Sequence, residues 1–211
     1  MKFSISSEQR DYFTKHRFIP FSHLLNEGEL SELNQAIDSL LASAPKGFAL
    51  RDLWRSSPLI KKIVCSKRLL QLAFELIQKK PLRLAYDQLI MEARRSSKGM
   101  PFLDQGSIQD ISCINNLQGL FILCIRDYEP SENTELFEFH AGDGVFITPD
   151  VPFPFDTLSP SPHKRYLIIA YGSNYSQYLF EERDPYCHFL KNLGYVFGDK
   201  LNDRLHPLLL R

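Results

Sequence analysis

An excess of either charge is missing: Lys+Arg and Asp+Glu both number 25 in the 211 residues, so the net charge is zero. A neutral chain lacks the broad positive field that sequence-independent nucleic-acid binding needs. The basic doublets Lys61-Lys62, Lys67-Arg68, Lys79-Lys80 and Arg94-Arg95 are scattered and read as solvated faces. Long apolar runs are missing too. None has the length needed to span a bilayer, and the opening MKFSISSEQR has no apolar core of signal-peptide length. Cysteine is scarce: Cys65, Cys113, Cys124 and Cys187 show no CxxC spacing. Such thiols fit reduced cysteines in a cytoplasmic protein rather than a disulfide frame. Between residues 24 and 139 there is no histidine, so any site there that needs imidazole has to do without it. Internal repeats and low-complexity blocks are absent as well.

The N-terminal third reads as helices. Glu8 to His16 is a short one, and Pro20 biases Ile19 towards extended backbone in the segment Phe18 to Phe21. Asn26 and Glu29 form a capping-box pattern ahead of Leu30, Leu33, Ile37, Leu40, Leu41 and Ala44, which recur at helical spacing. Ser57 and Ser66 cap two further helices, Pro58 to Val64 and Lys67 to Gln78. The grain then changes to short apolar runs punctuated by Gly and Pro, the signature of buried strands. These are Leu82 to Met91, Leu120 to Ile125, a start at Leu136 to Phe139, Gly144 to Thr148 and Arg165 to Tyr171. Beyond Gly172, Asp184-Pro185 reads as a helix start and Gly194 as a C-cap. The order predicts one α+β domain over 1–211: a helical buttress over 1–80, an antiparallel sheet or barrel core over 81–172, and a helical tail over 173–211.

The phrases QRDYFTKHRFIPFSHLLNEGEL, PLRLAYDQLI and LKNLGYVFGDKLNDRLHPLLL together resemble phytanoyl-CoA-dioxygenase-like proteins of the Fe(II)/2-oxoglutarate-dependent oxygenase superfamily. The resemblance implies a double-stranded β-helix, a jelly-roll barrel, buttressed by the N-terminal helices. It also implies a His-x-Asp pair and a distal His on one face of Fe(II), with an Arg on the far carboxylate of 2-oxoglutarate. At the place of the pair the sequence reads Ser107-Ile108-Gln109-Asp110, so Asp110 matches the carboxylate and Ile108 stands where the first His belongs. Val151 to Phe155, the place of the distal His, contains none, while Arg165 matches the Arg.

The expectation is therefore an oxygenase fold that has lost both metal-binding histidines, with no catalytic residue assigned. Arg165 and Gln88 are its candidates for holding a small carboxylate, because a guanidinium fork matches two oxygens. An ion pair of Arg165 with Asp143 or Asp156 is the plain alternative. Ile108, Phe153 and Phe155 are expected to fill the vestigial pocket, since bulky apolar side chains recover the packing that lost ligands leave. A second reading keeps an enzyme. Asp110 and His140, helped by Asp87, would form an oxygen-rich site for Mg(II), Mn(II) or weak Fe(II), with Fe(II) and 2-oxoglutarate as cofactors. The bland counterpart for Asp87-Gln88 is an outward polar pair or a buried network. A metal-responsive DNA-binding regulator ranks last, because neither a basic recognition helix nor a clustered His/Cys motif is present. A protein partner is a further possibility, through the PFPF run at 152–155.

Overall fold

Side-chain caps set the helices. Ser6 and Gln9 close a capping box at the start of α1 (Ser7–His16), and Asn26 and Glu29 do the same for α2 (Glu27–Ser43). Ser57 and Ser66 accept from Ile60 N and Leu69 N at the starts of α3 (Pro58–Val64) and α4 (Lys67–Ile77). The structure is a computed structural model that describes residues 4–45, 48–91, 106–127, 140–152 and 164–210. The expected strand start at Leu136 to Phe139 and the side chains of Phe153 and Phe155 lie outside the described residues.

Among the described residues, one antiparallel sheet runs through the molecule. Its strands are β1 (Phe18–Phe21), β2 (Leu82–Ile90), β3 (Leu117–Asp127), β4 (Gly144–Ile147), β5 (Lys164–Gly172) and β6 (Leu208–Leu210). The order across the sheet is β1-β4-β3-β5-β2-β6. The two runs Gly144 to Thr148 and Arg165 to Tyr171 are thus both strands, but they do not touch: β3 lies between them, with Phe121 opposite Phe146 on one side and Ile169 on the other. Gly142 turns the chain into β4 at φ 99°, and its carbonyl accepts from Leu25 N at 3.1 Å. A Cβ there would stand 2.6 Å from the Leu25 carbonyl oxygen, so the close approach of this turn to the entrance of α2 requires glycine.

Side chains alternate across the sheet and give it two apolar faces. Phe121, Leu123, Phe146, Leu167, Ile169 and Tyr171 face α1–α4 and join Leu33, Ile37, Leu69 and Ala73 in one cluster. Leu120, Ile122, Cys124, Val145, Ile147, Tyr166, Ile168 and Ala170 form a second cluster on the opposite face. None of α1–α4 covers that face. It is covered by the segment from Ser107 to Ile114, which contains the single-turn helix α5 (Ile108–Ile111), and by Tyr178, Cys187, Leu190, Tyr195 and Leu201 of the tail.

The tail differs from the helix expected of it. It is a series of four-residue turns, such as Cys187 N to Asp184 O and Phe189 N to Tyr186 O, with one short 3-10 helix at Phe189–Leu193 that Gly194 closes at φ 89°. Its Ser, Asn and Asp side chains bind nearby backbone, as Tyr175 N to Ser173, Val196 N to Asp199 and Leu205 N to Asn202 show. Such bonds compete with an α-helix. Leu208–Leu210 then adds an edge strand beside β2.

Candidate functional site

Ile108 is fully buried in the cluster on the face away from the helices. Ser107 caps its helical turn, and Gln109 N donates to the Pro149 carbonyl at 2.8 Å, which clamps α5 to the chain just beyond β4. Asp110 is exposed. Its Oδ2 accepts from the Ser107 hydroxyl at 2.6 Å, and its carbonyl accepts from Arg183. His140 is exposed too, with Nδ1 3.8 Å from Asp127 Oδ2, and it precedes β4. Asp110 and His140 therefore lie at opposite ends of β4, whose four residues span about 10 Å at ~3.3 Å per residue. Metal ligands sit within about 2.0–2.6 Å of a common ion, so the two do not share one. Asp87 is not with them either: its carboxylate accepts from Leu53 N (2.8 Å) and Trp54 N (3.0 Å) on the helix side of β2. Among the described residues, no group of three His, Cys, Asp or Glu is placed to hold a metal ion. A buried isoleucine and a hydroxyl-bonded surface carboxylate do not fit Fe(II).

Arg165 opens β5 on the helix side, with Arg126 of β3 directly opposite it across the strands. Two guanidiniums side by side repel, and one carboxylate relieves both. Asp38 of α2 accepts from Arg165 Nη1 at 2.5 Å and from Arg126 Nη2 at 2.6 Å. Partial burial alone would raise the Asp38 carboxyl, but the two guanidiniums outweigh it and hold the group below its ordinary value. Among the described residues, Arg165 thus pairs with Asp38 and not with Asp143; Asp156 lies outside the described residues. Asp143 instead accepts from His23 N and His140 N in the turn before β4. Asp38 also lines a groove of about 530 Å³ between α2 and the end of β3, together with Asn34, Gln35, Arg126 and Asp127.

Gln88 has a different role from an open ligand contact. It faces the second cluster, and its Oε1 accepts from Arg51 Nε (3.1 Å) and Nη2 (2.9 Å). Arg51 Nη1 donates to Asp184 Oδ2 at 2.9 Å, and both side chains are buried, at 2% and 0% exposure. Burial alone would raise the Asp184 carboxyl. Arg51, together with the amides of Cys113 (2.8 Å) and Tyr186 (2.9 Å), outweighs that and holds it below its usual range. Burial pushes the neighbouring Tyr86 phenol up to about 12. In the sequence Gln88 stands out and Arg51 does not, and Asp184-Pro185 reads as a helix start. The pair is 133 residues apart, and no local pattern joins such partners.

Burial also decides the state of two titratable groups at the β2 end of the molecule. It pushes Asp87 up to about 8, with Asp52 adding to the shift. It pushes His206 down to about 3, with the Arg55 charge adding to that, while its Nδ1 lies 2.8 Å from the Ala85 carbonyl oxygen. His206 is therefore neutral in the folded chain, donating through Nδ1. The unfolded chain takes up a proton below the ordinary value of 6.5 and the folded chain does not, so stability falls as pH drops from about 6.5 towards 3. His206→Asn keeps a donor for Ala85 and cannot titrate. Between pH 7 and pH 5 the wild type is expected to lose about 2 kcal/mol more than this variant in urea unfolding. Parallel losses in the two proteins would refute this role for His206.

No protein-family model and no curated protein sequence matches the chain. Solved structures do. The non-heme alpha ketoglutarate dependent carbocyclase SnoK from nogalamycin biosynthesis superposes with a TM-score of 0.68 at 14% identity, over 97% of this chain and 96% of SnoK. HygX from Streptomyces hygroscopicus, solved with nickel and 2-oxoglutarate bound, gives 0.54 at 12% identity, over 94% and 98%. CT296 from Chlamydia trachomatis gives 0.55 at 19% identity, over 82% of this chain and 98% of CT296. Among the described residues, no helix is long and apolar enough to cross a membrane. The chain, with its helices on one side of an antiparallel sheet, thus shares its fold with SnoK, a non-heme alpha ketoglutarate dependent carbocyclase.

Proposed function

We propose that this chain is a phytanoyl-CoA-dioxygenase-like double-stranded β-helix that no longer runs the Fe(II)/2-oxoglutarate reaction and serves instead as a small-carboxylate-binding protein. One observation carries the reading: Ile108, which the resemblance puts at the place of the first metal histidine, is fully buried among apolar side chains on the face away from α1–α4. An apolar side chain packed there supports a filled interior, not an unusual ligand set. All four cysteines are free thiols, which favours a reducing compartment and a cytoplasmic protein.

The carboxylate role rests on Arg165. Its guanidinium and that of Arg126 already hold one carboxylate, Asp38, whose side chain is about half exposed (47%) beside an open groove. A dicarboxylate entering the groove would take the place of Asp38 between the two cations. Calorimetric titration with 2-oxoglutarate and with succinate tests this. Binding that Arg165→Ala weakens at least tenfold, a difference of about 1.4 kcal/mol, is expected. Absence of binding, or binding that Arg165→Ala leaves unchanged, would refute the assignment.

A further inference from the structure

Arg51 reaches the face away from the helices from a segment that runs beside β2: Leu89 N donates to the Leu50 carbonyl and Asp52 N to the Asp87 carbonyl, both at 2.8 Å. Its guanidinium lies 4.4 Å from the ring centre of Tyr86 and 4.8 Å from that of Tyr186. Aromatic faces that flank a guanidinium leave its N–H edge as the place for acceptors. Along that edge, the Gln88 amide oxygen takes two N–H groups and the Asp184 carboxylate takes a third. The Cys113 N–H, from the segment after α5, points at the same Asp184 oxygen from 2.8 Å. A buried planar cation, oriented by an amide and by rings, with a backbone N–H converging on one oxygen, is a carboxylate-binding site. Its carboxylate comes from the tail. Arg51, Gln88, Tyr86 and the Cys113 amide all belong to other elements, and only Tyr186 N and the Tyr186 ring arrive with Asp184 itself.

We propose that the face of the sheet away from the helices carries a carboxylate-binding site whose ligand is the chain's own Asp184, and that a free monocarboxylate of formate size binds there once the Asp184 carboxylate is removed. The site is separate from the Arg165 pair, which lies on the helix side. The tail thus acts as a built-in ligand that closes this face. Asp184→Ala deletes a group of formate size and leaves the Arg51 edge and the Cys113 amide facing the space.

The test is chemical rescue followed by thermal unfolding, with sodium formate compared against sodium chloride at equal ionic strength. Formate is expected to raise the melting temperature of Asp184→Ala by about 5 °C over chloride, and to leave the wild type and the double variant Arg51→Met/Asp184→Ala unmoved. Should Asp184→Ala fail to fold in chloride, its refolding yield from urea in formate against chloride is the readout, and recovery in formate alone is the expected result. Equal behaviour in the two salts, recovery in neither, or an equal formate effect in the double variant would overturn the proposal. Since Arg165 is intact in every variant, a negative result leaves the dicarboxylate site on the helix side untouched.

Discussion

Arg51→Met is expected to lower the unfolding free energy by about 3–5 kcal/mol, the usual cost of removing one partner of a buried ion pair. The loss is large because Asp184 has nowhere to go. Its side chain is fully buried, its two amide donors are fixed, and without the guanidinium its charge stays in a low-dielectric interior. Gln88 Oε1 would lose both of its donors as well. The double variant Arg51→Met/Asp184→Leu removes the orphaned charge and is expected to recover more than half of the loss, because well-packed apolar replacements of buried ion pairs are often neutral or better. Urea unfolding of the wild type, the single variant and the double variant measures all three values. A single-variant loss below about 1 kcal/mol is the range of a solvent-exposed pair, and it would mean that this face is open to water.

Ile108→Ala is expected to cost about 2–5 kcal/mol, the range for deleting a buried branched side chain whose surroundings relax only partly. Ile108 sits in one cluster with Ile111, Val145, Ile147 and Tyr166, between the single turn of α5 and the sheet. The clamp from Gln109 N to the Pro149 carbonyl limits how far that turn can collapse into the space left behind. An open, solvent-filled pocket at this position would give a different answer: truncation of a wall residue there would cost less than about 1 kcal/mol. Unfolding midpoints in urea separate the two cases. Ile108→His is expected to be destabilising for a related reason, since it buries an imidazole with no partner supplied.

Much of the fold was legible in the sequence because its signals are local. Asn26 with Glu29, Ser57 with Pro58, and Ser66 announce three helices, and each cap forms the bond expected of it. The apolar runs behind β2, β3, β4 and β5 announce strands. Which face of a strand meets the helices was not legible. In β5, Arg165 shares a side with Leu167, Ile169 and Tyr171, and Tyr166, Ile168 and Ala170 share the other; both sets are apolar and buried, so alternation alone cannot orient the strand. For that reason the sequence named Arg165 but not the helix face that it occupies or its partner Asp38. Long-range partners were hidden in the same way. Gln88 stood out beside Asp87, yet its meaning comes from Arg51, which bonds it from 37 residues away, and from Asp184 in a tail that reads as helix and folds as turns. The identity of Ile108 was read directly; its packing required the structure.

The proposed loss of the iron reaction is tested most directly by anaerobic titration of the purified protein with Fe(II) and 2-oxoglutarate, following bound metal and the visible charge-transfer band of the ternary complex together. The result expected here is no stoichiometric iron and no band, with or without 2-oxoglutarate. One equivalent of Fe(II) held with the band present would contradict it, and would mean that the chain assembles a metal site without a ligand at the Ile108 position.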